Sequence, residues 1–221
     1  NTEPEIPTTD VNDFSSVVSV TLNSNSISAD NKAGVEIDKT TLTITSAGNY
    51  SISGTLDDGQ IIVDTNDNET VNLVLGGATI SSSVGAPIFV EDAKNTVIVL
   101  ADDTQNFLTD SQNNGDNGTL CSKDNLVICG SGALTVTGNV NDAIRSNDGL
   151  VIEDGTITIN SVDDGIRGKD YLIINGGTIT IYSVGDGLTS DNDEDPTLGY
   201  VSITGGDITV VSTQGDAISA E

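Results

Sequence analysis

Through the second half of the chain, large aliphatic residues recur in short alternating runs, each closed by Asn, Asp or Gly. Between Asp142 and Asp164 the alternation predicts three brief strands, "AIR" (143–145), "LVI" (150–152) and "TITI" (156–159), separated by turns at "SNDG", "EDG" and "NSVDD". A period of two places Ile144, Leu150, Ile152, Ile157 and Ile159 on an inner side, with Arg145, Val151, Thr156 and Thr158 outside. The next stretch repeats the design with Ile166, Leu172, Ile174, Ile179 and Ile181.

The lead aliphatic residues Leu120, Ile144, Ile166, Leu188 and Ile218 stand 24, 22, 22 and 30 residues apart. Strands of three or four residues are too short to persist alone, but a fixed register lets each coil hydrogen-bond to the coils before and after it. The pattern predicts an all-β parallel β-helix, a three-sheet solenoid of about 22 or more residues per coil. No helical periodicity of ten or more residues occurs, and a β-sandwich offers no reason for the register.

Repetition is looser toward the amino terminus. "DGQIIV" (58–63) aligns with "GAPIFV" (85–90), while "VNLVLGGATIS" (71–81) and "VIVLADDTQNFLTD" (97–110) read as the other sheets of those coils. Residues 1–17 are expected to form an extension or cap, and 18–221 a single β-helix domain. "GDAISAE" (215–221) starts a further coil, so that last coil is expected to be incomplete and the natural chain to continue.

Composition agrees with strands and corners, with 24 Gly and only 3% aromatic residues. Charge changes the picture more. Thirty-four acids against seven bases, without His, give a formal charge of −27, which repels nucleic acid and anionic membranes. Such a surface suits a cation partner, a high-salt habitat or simple solubility. "VIVLA" (97–101) is among the longest apolar runs, so no membrane span is expected. A start at Asn1 followed by "TEPEIPTTD" fits a secreted protein whose leader has been removed. Cys121 and Cys129, eight residues apart, do not form a zinc pattern; both are expected to point outward beside a corner, as free thiols rather than a disulfide.

The candidate chemistry lies in the turns. Asp142, Asp164, Asp186 and Asp216 fall at one register position, so coil stacking sets them about 4.8 Å apart. Like charges at that distance repel by about 1 kcal/mol in water and about 3 to 4 at a protein surface. A lone Asp before Gly is ordinarily a turn cap. Repetition in register, with Asp163 adjacent, points instead to bound Ca²⁺, which takes six to eight oxygens in loose geometry, better than to Mg²⁺. In the longest interval, Asp191, Asp193 and Asp195 have the alternate spacing of a calcium loop, although Pro196 and Ser202 stand where an EF-hand needs Gly and Glu. Those acids either join a metal site or form a solvated loop.

Four of the seven bases, Lys123, Arg145, Arg167 and Lys169, fall in three successive coils. They either pair with neighbouring Asp124, Asp148 and Asp170 or form a strip for sugar carboxylates, where Arg supplies a bidentate fork. Tyr171 and Tyr200 share an aligned outward position suited to stacking on sugar rings, although β-propensity accounts for them as well.

The blocks "YSISGTLDDGQIIVDT", "NLVLGGATISSS", "APIFVEDAKNTVIVLADDTQNFLTD", "SKDNLVICGSGALTVTGN", "DDGIRGKDYLIINGGTITI" and "GDGL", in this order from Tyr50 onward, resemble the secreted bacterial carbohydrate-binding β-helix family, related in fold to pectate lyases. The resemblance implies a calcium-loaded right-handed parallel β-helix that binds cellulose and acidic sugars such as polygalacturonate, with Asp142, Asp163, Asp164, Asp186 and Asp216 as calcium ligands. Non-catalytic, calcium-dependent or calcium-stabilised binding of plant cell-wall polysaccharide or acidic oligosaccharide at the bacterial cell surface is the leading expectation. Arg145, Arg167, Lys169, Tyr171 and Tyr200 are its sugar-contact candidates. The alternative is a calcium-dependent pectate lyase with Arg145 or Arg167 as base. Ice or crystal adhesion through stacked "TVT" (135–137), "TIT" (156–158) and "TIT" (178–180) ranks below both, because Asp207 breaks the series.

Overall fold

Short alternating strands have one apolar side to hide, and stacking them in register hides it along a continuous axis. The structure, a computed structural model, describes residues 16–111 and 118–220. Within these residues the chain is all β, with parallel coils stacked into a solenoid. The repeat register is the one the sequence predicts: Leu120 pairs with Ile144, Ile144 with Ile166, Ile166 with Leu188, and Leu188 with Ile218. The looser alignment holds too, with Ile61, Ile62 and Val63 opposite Ile88, Phe89 and Val90.

All ten predicted inward residues of the coils led by Ile144 and Ile166 are 0% exposed. Burying such a side chain is worth about 1.5 to 3 kcal/mol, so the aliphatic stack supplies the main attraction between coils. In the last described coil Ile203 and Ile218 are exposed although they occupy inward register positions.

The three faces resolve into two hydrogen-bonded sheets. One face is a nine-stranded sheet running from Val35–Asp38 to Ile218–Ala220. The other two faces merge into a fourteen-stranded sheet, because Thr70–Ser82 runs unbroken round a corner. Its first half pairs with Asn95–Leu100 and its second with Gln105–Asp110. In later coils the corner is a sharp turn: Gly155 and Gly177 have φ of 119° and 90°, and a Cβ on Gly177 would sit 2.7 Å from the Gly155 carbonyl oxygen. At the amino-terminal end two antiparallel pairs, Val17–Ser24 with Ser26–Ala29 and Val35–Asp38 with Thr41–Ile44, depart from the parallel rule. The extension expected over 1–17 lies outside the described residues as far as position 15, and the first strand begins at Val17.

One side of the solenoid differs from expectation. Val151 points outward yet is 1% exposed, because Val97, Val99, Val127, Cys129, Tyr171 and Ile173 form a second buried cluster on the outside of the same face, with Leu198 and Tyr200 packed against it. Cys121 and Cys129 are free, as expected, but buried. Burial pushes both thiols up, Cys129 to about 11.

Candidate metal and acidic-sugar site

The turn that closes each coil before its Ile or Leu strand places an aspartate at one register position. Backbone bonds fix the column: the N–H groups of Ala143, Gly165 and Gly187 donate to the carbonyls of Asp164, Asp186 and Asp216 at 3.1, 2.8 and 2.8 Å. The side chains divide into two kinds. The Asp164 Oδ1 accepts the backbone N–H of Asp186 at 2.7 Å, and the Asp186 Oδ1 accepts that of Asp216 at 2.7 Å. Part of the like-charge cost is therefore offset by axial capping of the next coil, without a metal. Asp216 itself is exposed.

Asp142 is of the other kind. It is 3% exposed, and its Oδ2 is buried with no hydrogen-bond partner. Without a hydrogen bond, that oxygen has its desolvation offset only by the more distant charges of Arg145 and Arg167. Burial foremost, then the charge of Asp164, pushes its carboxyl up to about 6, with Arg145 and Arg167 opposing. Asp142, Asp163 and Asp164 each bring one carboxylate oxygen within 4.8 Å of the others. They line an open cleft of about 400 Å³ together with Asn141, Arg145 and Arg167.

A local sequence feature makes this room. The residue before the ladder aspartate is Asn141, Asp163, Gly185 and Gly215 in successive coils. A Cβ on Gly185 would lie 2.5 Å from the Asp164 Oδ1 and 2.9 Å from the Asp163 Oδ1, so glycine there leaves the carboxylates their space. Three converging carboxylates, one of them an unpartnered buried oxygen, form an all-oxygen donor set open on one side. That suits a hard cation which completes its shell with water or ligand oxygens.

Above the acids stand two guanidinium groups. Arg145 and Arg167 are register partners, half-buried, and place Nη1 3.8 and 3.9 Å from the same Asp142 Oδ2. The Arg145 Nε donates to the Asn147 Oδ1 at 3.2 Å. Arg167 donates through Nε to the Asp191 Oδ1 at 3.1 Å and through Nη2 to the Asp191 Oδ2, a bidentate fork.

The remaining sequence candidates scatter. Asp193 is exposed, while Asp195 accepts the Thr197 backbone N–H and hydroxyl at 2.9 and 2.7 Å, which holds its carboxyl below the usual range. Lys169 approaches Glu194 at 4.0 Å and Lys123 pairs with Glu91. Tyr171 is turned outward as predicted but is 4% exposed; its ring stacks on Tyr200 at 5.9 Å between centroids and its hydroxyl donates to the Asn125 Oδ1 at 3.2 Å. Sequence reasoning missed Asn141, and the Asn, Asp, Gly, Gly series was the available signal.

Comparison with known proteins agrees with this architecture. A family model described as carbohydrate-binding domain-containing protein matches residues 38–221. A carbohydrate-binding domain-containing protein of Acetivibrio thermocellus is 43% identical over 209 residues, which cover 91% of this chain and 73% of the relative. The solved structure of a polysaccharide lyase-like protein from C. thermocellum, a gadolinium derivative, superposes with a TM-score of 0.86 at 32% identity, covering 92% of this chain and 94% of that one.

Proposed function

Since the chain belongs to the family of carbohydrate-binding domain-containing proteins, we propose that it binds an acidic cell-wall polysaccharide, such as polygalacturonate, without cleaving it, through Ca²⁺ held by Asp142, Asp163 and Asp164. The observation that carries this reading is the buried Asp142 Oδ2, without a hydrogen bond, facing two further carboxylates in an open cleft. A divalent cation there removes the repulsion between the three acids and satisfies the orphan oxygen. Its outward coordination positions remain for water or for a uronate carboxylate.

In this reading the charges of Arg145 and Arg167 favour an acidic ligand beside the ion, while the Arg167 fork stays on Asp191. Buried Tyr171 contributes packing rather than ring stacking on sugar, and Tyr200 flanks it. Secretion, display at the bacterial surface, and binding of cellulose belong to the same proposal. A lyase reading draws support from the name of the superposed relative, but a guanidinium must lose its proton to act as base. Asp191 and Asp142 hold Arg167 above its usual range, hence protonated, although burial pulls the other way.

The test is titration of the chain against polygalacturonate and cellulose with Ca²⁺ and with a chelator, for wild type and for Asp142→Asn and Asp164→Asn. Calcium-dependent binding to polygalacturonate that both variants weaken at least about tenfold, the worth of a lost charged ligand, is the expected result. If chelation and both substitutions leave affinity and thermal stability unchanged, the metal reading is wrong. Growth of unsaturated-uronate absorbance during the incubation would establish the lyase instead.

A further inference from the structure

We propose that the strands Gln105–Asp110, Ala133–Gly138, Thr156–Ser161, Thr178–Ser183 and Asp207–Ser212 present a second sugar surface, separate from the acidic cleft, on which an uncharged, extended polysaccharide such as cellulose lies along the solenoid axis. The inference goes beyond the reading of the cleft, because it uses no metal and none of the cleft's residues.

The outer faces differ in what they offer a ligand. The nine-stranded sheet carries Arg145 and Arg167 beside the acids. The face that holds Val97, Val127, Val151 and Tyr171 has its outward side chains buried in the second apolar cluster. On the third face the outward positions are exposed or half-buried, and Asp207 is the sole charge among them on the five described strands, in a chain of formal charge −27. A face cleared of charge on so acidic a molecule complements a neutral ligand and offers an ionic one nothing to pair with.

The aromatic residues sort the same way. Tyr50 and Tyr171 are buried, and Phe89 and Tyr200 half-buried. The two exposed aromatic residues among those described, Phe107 and Tyr182, both stand on the neutral face, 40% and 51% exposed. Phe107 leads a register column through Thr135 and Thr158 to Thr180, two residues before Tyr182, and Asn160 is the register partner of Tyr182. Three coils along the axis and two residues across it set the rings about 16 Å apart, with hydroxyls and an amide between them. A protein partner would require a continuous apolar centre, which that separation denies. A pyranose with equatorial substituents brings apolar C–H faces to the rings and a rim of hydroxyls to Thr135, Thr158 and Asn160. Linked equatorially, such sugars advance by close to one coil spacing, about 4.8 Å, so that about three of them span the two aromatic contacts.

The test is calorimetric titration of the full chain with cellohexaose, in Ca²⁺ and in chelator, beside titration with trigalacturonate in Ca²⁺. Cellohexaose should bind equally with and without the ion. Phe107→Ala and Tyr182→Ala are each expected to weaken that binding about tenfold, as truncation of an aromatic anchor does, while Tyr182→Phe keeps it within about twofold because the ring makes the contact. Trigalacturonate affinity should be the same in all of them. On the unaltered, isotope-labelled protein the ring resonances of Phe107 and Tyr182 should shift when cellohexaose is added and those of buried Tyr50 should stay, which needs no variant to fold. Undiminished binding by both alanine variants, loss of cellohexaose binding in chelator, or a wild type that does not bind cellohexaose overturns the inference. Trigalacturonate binding that persists in the last case keeps the reading of the cleft, so the two proposals fail separately.

Discussion

Asp142 carries a charge that its surroundings oppose, and its pKa of about 6 against an ordinary 3.8 expresses that opposition, burial first and Asp164 second. A carboxyl that holds its proton more tightly in the folded protein adds stability below its unfolded pKa, and loses that contribution as pH rises through about 4 to 6. Metal-free protein should therefore become more stable on acidification from pH 7 toward 5. Asp142→Asn should raise stability at pH 7 in chelator by at most about 3 kcal/mol from the pKa difference, seen as a higher melting temperature, and flatten the pH dependence. Thermal melts of both proteins across that range check it; a wild-type profile identical to that of the variant would show that Asp142 is not strained. Ca²⁺ at the proposed site would compete with the same proton, so its affinity should fall as pH drops below about 6. Asp164 and Asp186 were indistinguishable from Asp142 in the sequence. What separates them is the neighbouring backbone N–H that each of the two receives.

Among the elements, the strand Tyr171–Ile174 shows how alternation is read correctly and exposure is not. Leu172 and Ile174 point in, Tyr171 and Ile173 point out, yet all four are buried. The second layer exists because Val97, Val127 and Val151 stand in one outward column, while Tyr171 stacks on Tyr200 and lies over Gly149, where a Cβ would come within 1.9 Å of the ring. Tyr171→Ala should cost about 3 kcal/mol of stability, as large aromatic truncations do, and leave polygalacturonate affinity within about twofold once corrected for folded fraction. A selective loss of binding with stability unchanged would restore the tyrosine as a sugar contact. At the turn, Gly185→Ala should reduce the stabilisation by Ca²⁺ more than the metal-free stability, because its Cβ meets the Asp164 and Asp163 carboxylates rather than the core; melts with and without the ion separate the two.

For the whole molecule, a formal charge of −27 makes self-repulsion a global term. In chelator, added monovalent salt should raise the melting temperature by screening. Calcium at a hundredfold excess over its dissociation constant should add about 2.7 kcal/mol through the folded-state site, an increment that Asp142→Asn removes and salt does not replace. Solenoid, register and inward stack were legible from the chain alone, because the repeat puts chemically equal residues at equal intervals and the same short-range rules act in every coil. The column of aspartates was legible for the same reason. Their division was not: which carboxylate caps a backbone N–H, which is buried without a partner, and which fills an arginine fork depend on contacts between coils and on the path of one insertion. Periodicity determined where the acids line up, whereas only the packed structure decided which of them water and backbone could not satisfy. A sequence position specifies chemistry, but the energy of a charge is set by everything that displaces its solvent.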